Sequence, residues 1–118
     1  MAVLAVCLLV LRGDEDCWIK GANGTYVKHG NPSETPDYVQ NQQDAAICAL
    51  DLYHGKKSEG MNFSSQCLGV CGNYAVDIVH VPRKAEDDKA ENQCADYRDG
   101  KINYFIELDS EGNIFRIG

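Results

Sequence analysis

Tyr74–Val81 reads YAVDIVHV and is followed by Pro82. Val76, Ile78, Val79 and Val81 are β-branched, which suits a pleated, packed surface, and proline lacks the N–H that a sheet ladder needs. The stretch therefore predicts a central strand. Downstream, Lys101–Leu108 (KINYFIEL) and Ile114–Ile117 (IFRI) flank Asp109-Ser110-Glu111-Gly112-Asn113. That pattern reads as a hairpin with Gly112 and Asn113 placed for positive φ, and with Ile102, Tyr104 and Ile106 on one face. Upstream, Cys17–Lys20 and Thr25–Lys28 read as two short strands around the turn Gly21 to Gly24.

Between these strands, Thr35-Pro36-Asp37 is a helix start: a capping hydroxyl, a proline suited to the first turn and an acid at the positive dipole end. The helix is expected to run to Ala46 with Val39, Ala46 and Leu50 on one face. From Ile47 onward, Cys48, Leu50 and Leu52 alternate, and the reading becomes a strand ending near Tyr53. Lys56–Ser65 reads as a loop, Gln66–Cys71 as a short helical turn, and the charged run Arg83–Asp99 as a solvated helix or loop. The total is about five or six strands and one or two helices, an α+β fold. It is expected as a small disulfide-stapled two-layer sandwich, mainly antiparallel. No repeat or linker divides it, so residues 14–118 read as a single cysteine-rich domain.

The chain has 118 residues, with 11 Lys+Arg against 18 Asp+Glu and a net charge of −7. That balance argues against nucleic acid as a partner, since phosphate binding draws on clustered Lys and Arg. Hydrophobic residues make up 44%, enough to argue against wholesale disorder. Ala2–Leu11 (AVLAVCLLVL) is apolar throughout. It falls far short of the roughly 20 residues of a membrane span and fits the core of a secretory signal peptide, with residues 1–13 removed. No Lys or Arg precedes the run. The competing reading makes Val3–Leu11 a buried first strand with Cys7 inside the fold.

Cleavage would leave Cys17, Cys48, Cys67, Cys71 and Cys94, which in an oxidising compartment pair with one another. The odd thiol would stay free or pair with a partner, as in a disulfide-linked dimer; alternatively Cys7 belongs to the folded domain and makes six, which counts against removal of residues 1–13. Asn23-Gly24-Thr25 and Asn62-Phe63-Ser64 are glycosylation sequons, with Asn23 and Asn62 as acceptors. Cys67-x3-Cys71 resembles half of a zinc site but lacks a second close pair of Cys or His, so each is expected in a disulfide to a distant partner. On a helix the two would face the sheet together and staple the helix to different strands.

No catalytic residue, cofactor or metal ligand is assigned. His29, His54 and His80 have no thiol placed beside them by the sequence. His29, His80, Glu107 and Arg116 are the residue types of a small secreted ribonuclease, and that hydrolase is the alternative function. Glu86-Asp87-Asp88 lacks the spacing of a calcium loop and reads as a solvated acidic face. Trp18, Tyr26, Tyr53, Tyr97, Tyr104 and Phe105 divide between core and partner surface.

At Cys48-Ala49, at Cys67 to Cys71-Gly72 and at Gly100-x-x-Asn103-Tyr104, the chain resembles killer-toxin-like small secreted proteins of fungi. It departs from their pattern in having C-x3-C and a shorter Gly-to-Asn spacing. The resemblance implies a disulfide-rich α/β sandwich and a secreted toxin or host-directed virulence effector without enzymatic activity. The leading expectation is thus a secreted, extracellular, non-enzymatic glycoprotein, without a membrane span, that binds a protein target. The acidity favours a target with a basic surface. A ligand-binding secreted module with an apolar cavity is the third reading.

Overall fold

The computed structural model describes residues 17–30 and 32–118. The expected signal peptide, the alternative first strand and the place of Cys7 lie outside the described residues. The fold is α+β, in two compact units that divide between Gln43 and Asp44.

In the first unit, β1 (Cys17–Lys20) and β2 (Tyr26–His29) form an antiparallel hairpin. Its turn closes through the Gly21 N–H donating to the Thr25 carbonyl at 2.8 Å. The helix α1 (Asp37–Ser58) begins where Pro36 offers its carbonyl to the Gln40 N–H at 2.9 Å. Buried Gln42 saturates the hairpin turn: its Oε1 accepts from the Tyr26 N–H at 2.9 Å and its Nε2 donates to the Gly24 carbonyl at 3.0 Å. An amide suits that place because it donates and accepts at once.

The second unit holds a four-stranded sheet in the order β3 (Gln66–Cys71), β4 (Tyr74–Ile78), β5 (Tyr104–Leu108), β6 (Ile114–Ile117). The pairs β3–β4 and β5–β6 are antiparallel and β4–β5 is parallel. The central strand and the C-terminal hairpin appear where the sequence predicts them, but β4 ends at Ile78, ahead of Pro82, and β5 begins only at Tyr104, so Ile102 lies outside it and buries with Ala75 and Cys94 rather than sharing a face with Ile106. The parallel pair requires a crossover. The charged run supplies it, as 3₁₀ turns at Ala85–Asp88 and Ala90–Asn92 and the short helix α2 (Ala95–Arg98).

One face of the sheet packs on α1. Ala45, Ala49 and Tyr53, four residues apart, meet Leu68, Val76, Ile78, Ile106, Leu108 and Ile117. This corrects three expectations. The helix does not yield to a strand at Ile47, it continues to Ser58 into the expected loop, and its core stripe is 45/49/53 rather than one through Ala46 and Leu50. Alternation at Cys48, Leu50 and Leu52 is equally compatible with a helix whose small alanines let it approach the sheet. Ile47, on the far side, is 62% exposed.

The expected helical turn at Gln66–Cys71 is instead strand β3. Its register slips between Cys67 and Gly69, a bulge that puts Leu68 and Cys71 in the core. A bulged strand buries residues three apart, which in sequence imitates a helix. Gly69 sits there at φ +153°, a conformation side chains rarely adopt. In the β5–β6 turn, Gly112 alone takes positive φ (+86°); Asn113 does not, and donates its N–H to Asp109 Oδ1 at 2.9 Å.

Gly112 also lies against the Tyr53 ring, so a Cβ there would stand 2.7 Å from it, while the Tyr53 hydroxyl donates to the Ser110 carbonyl at 2.9 Å. Gly112→Ala is therefore expected to cost about 2–4 kcal/mol, from backbone strain plus overpacking. Gly55→Ala, in the helix with open space around its Cβ position, is expected to gain up to about 1 kcal/mol. Urea unfolding of the two variants checks the contrast; equal effects would remove the Tyr53–Gly112 contact as a determinant.

Candidate functional site

The bulge turns Cys67 and Cys71 to opposite faces of the sheet. Cys71, on the core face, is bonded to Cys48 of α1, and Cys67, on the other face, to Cys94 in the crossover. Two separate bonds to distant partners are what the sequence predicts. The expected geometry was different: one strand is stapled to a helix on one side and to the crossover on the other. Among the described residues no cysteine is free, Cys17 included.

The second face carries a transverse row in register across all four strands: Cys67, Asp77, Glu107 and Arg116. Asp77 and Glu107 interrupt two otherwise apolar strands and are 8% and 5% exposed. Glu107 is held by two guanidiniums. Arg116 donates from Nε to Oε1 at 3.1 Å, and Arg83 of the crossover donates from Nη1 to Oε2 at 2.9 Å. Arg83 also bonds Asp88 at 3.1 Å, and Arg116 lies over the Phe105 ring at 4.9 Å.

Among the described residues Asp77 has no such partner. Its Oδ1 lies 3.2 Å from Cys94 Sγ. Burial pushes its carboxyl up from 3.8 to about 6; the Cys94 N–H opposes this, Glu107 beside it adds to it, and Arg83 partly offsets it.

The acidic cluster Glu86-Asp87-Asp88 is not wholly solvated, because Asp87 is 2% exposed. It organises the crossover, accepting from the Lys84 N–H at 2.9 Å and the His80 N–H at 3.1 Å, with His80 Nδ1 also at 3.1 Å. Burial, the largest single influence, raises its carboxyl, but bonds from Lys84, Ser65 and His80 together bring it below the ordinary range.

Of the ribonuclease-type residues, the structure brings Glu107 and Arg116 together. His80 instead bonds Asp87, and His29 is exposed at the end of β2 in the first unit. His54 is exposed on α1 with its ring edge against Tyr53. Both sequon asparagines, Asn23 and Asn62, are exposed. Trp18 and Tyr53 are core residues, whereas Tyr97 and Tyr104 are 36% and 47% exposed.

The cavity between row and crossover is lined by Asp77, Arg83, Asp87, Tyr97, Glu107 and Arg116 among others and encloses about 110 Å³. Small-molecule sites run to roughly 300–1,000 Å³, so this one has room for waters and not for a nucleotide. Its polar lining also gives an apolar-ligand carrier no support. Cys67, Asp77 and Cys94 converge within 4.8 Å, but both sulfurs are spent in their disulfide, leaving one carboxylate and no metal-ligand set. No family model, curated protein or solved structure matches the chain.

The two carboxylates give opposite pH dependences. Folded Asp77 keeps its proton to about pH 6, against an ordinary 3.8. Between those values the folded state binds more protons than the unfolded one, so stability falls as pH rises from about 4 to about 6, by some 2–3 kcal/mol in all. Asp87, lowered, stabilises above the ordinary carboxylate value and loses that contribution as pH falls below it. Asp77→Asn is expected to flatten the fall between about pH 4 and 6 and to raise Tm above it, which thermal unfolding across pH reads directly. An unchanged profile would refute the assignment.

Proposed function

We propose that the chain is a secreted, disulfide-stapled module that binds a protein partner, of the effector or toxin type, and turns over no substrate. The observation that carries this reading is the cross-linking of both faces of the second unit's sheet, Cys48–Cys71 on one and Cys67–Cys94 on the other. Such bonds persist in oxidising, extracellular settings. They also hold a surface rigid, which reduces the ordering cost of association.

The chemistry left facing outward fits a protein target. Arg83 and Arg116 are spent on Glu107, so an already acidic chain of net charge −7 presents still less positive surface. Tyr97, Tyr104 and Phe115, each at least 36% exposed, supply the rings that anchor protein interfaces. The partner is accordingly a protein with a basic surface. A hydrolase reading fits less well, because both Glu107 oxygens are already bonded and the cavity beside them is small.

The test is to present the oxidised chain to an array of purified extracellular-domain proteins at low and high salt. Saturable binding to a basic protein is expected, with an association rate that falls steeply with ionic strength. Tyr104→Ala or Phe115→Ala should weaken it by about 1–3 kcal/mol. A salt-independent rate would remove the electrostatic part of the proposal. RNA cleavage by clean protein, lost in Glu107→Gln, would overturn the whole and restore the hydrolase.

A further inference from the structure

The two disulfides of the second unit differ in their surroundings. In Cys48–Cys71 one cysteine is 2% exposed and the other, on α1, half-buried, and both belong to or pack on the apolar core. In Cys67–Cys94, Cys67 is exposed on the edge strand β3 while Cys94 is 2% exposed. The second bond has a carboxylate against it: Asp77 Oδ1 lies 3.2 Å from the buried sulfur. An accessible sulfur to attack, a buried sulfur to leave and an acid beside the leaving sulfur are the parts of a thiol–disulfide exchange site.

We propose that Cys67–Cys94 is such a site: an incoming thiolate attacks Cys67 Sγ, and Asp77 protonates Cys94 as it leaves. The co-reactant is a dithiol, whether a small molecule or a protein. Its first sulfur, as thiolate, bonds to Cys67 Sγ. The Cys67–Cys94 bond breaks, and its electron pair goes to Cys94 Sγ, which takes the proton from Asp77. The dithiol's second thiolate then attacks the first sulfur in the mixed disulfide. Cys67 leaves as thiolate and takes a proton from water, and Asp77 regains one from solvent. Two electrons pass; the dithiol becomes a disulfide and the chain two thiols. The protons the dithiol gave up balance those taken by Cys67 and Cys94.

The environment of Asp77 favours this role. Burial keeps its carboxyl protonated to about pH 6, so at mildly acid pH a proton is in place. Above that the carboxylate repels the developing thiolate. The titratable and charged groups that line the cavity with it are Glu107 from β5, Arg116 from β6, and Arg83, Asp87 and Tyr97 from the crossover, with the Cys94 sulfur against it. The guanidiniums bond Glu107, and among the described residues none forms an ion pair with Asp77.

The test uses the native oxidised chain with dithiothreitol from about pH 5 to pH 8, quenched by alkylation and read as peptide masses. Cys67 and Cys94 are expected to be alkylated first, with Cys48 and Cys71 still protected and the circular dichroism of the fold retained. Expressed per reductant thiolate, the rate should fall about tenfold or more as pH rises through about 6. The fall should vanish in Asp77→Asn and persist in His80→Gln. Simultaneous opening of both bonds, or a wild-type rate without that fall, would show a purely structural disulfide and overturn the proposal. Neither measurement needs a variant, so the proposal stays exposed even if Asp77→Asn does not fold. An Asp77→Asn profile identical to wild type would overturn it as well.

Discussion

One extra residue in an edge strand governs the architecture of the second unit. Without the bulge between Cys67 and Gly69, Cys67 and Cys71 would stand four apart on one face of β3, since side chains of a regular strand alternate. Both would then reach for the same layer. With it, one bonds the helix and the other the crossover. Closing loops with sequence separations of 23 and 27 is worth about 3–4 kcal/mol each on loop-entropy grounds. A small domain has only about 5–15 kcal/mol of net stability, so the position of this single bulge decides which layers the chain can hold together.

The two faces that the bulge separates are chemically unlike. The helix face is a packed apolar layer, closed at one end where the Tyr53 ring lies on Gly112. The crossover face carries a row of charges, beside which Cys94 and Ile102 of the crossover bury against Ala75 and Tyr97 packs on Phe105. It is held by one disulfide, by the Arg83–Glu107 pair and by the bonds that Asp87 gathers. Compensation along the row is uneven. Two guanidiniums meet Glu107 and, among the described residues, none pairs with Asp77, whose carboxyl burial pushes up to about 6.

Much of this was legible in the chain. YAVDIVHV, the C-terminal hairpin and the N-terminal hairpin announce themselves through β-branched runs and glycine-bearing turns, and the α+β class follows from them. Cysteine arithmetic correctly sends Cys67 and Cys71 to separate partners. The bulge hides β3, because it replaces a period of two by a period of three. The helix beyond Ile47 hides behind a stripe of small residues, Ala45 and Ala49, that carry little hydrophobic signal. The charged row had a signal that composition alone obscures: Asp77 and Glu107 each interrupt an apolar strand, where a carboxylate persists only with partners or with its proton. Which arginines would answer them depends on the fold of the crossover, and Arg83 lies 24 residues from Glu107 in sequence.

Rigidity and exchange chemistry are compatible because the disulfides do different work. Cys48–Cys71 sits within the apolar layer and joins α1 to the sheet there. Cys67–Cys94 ties down the crossover, and the crossover has attachments that do not pass through sulfur: Arg83 to Glu107, Ser65 Oγ donating to the Glu86 carbonyl at 3.2 Å, and Ile102 buried against Ala75. Opening the exposed bond would therefore loosen one face and leave the other packed. A surface held over the sheet by an openable covalent bond, an ion pair and a buried acid has three separate controls, namely redox state, ionic strength and pH. A bond whose loss unpacked the apolar core would offer no such graded response, since the fold would be lost with it.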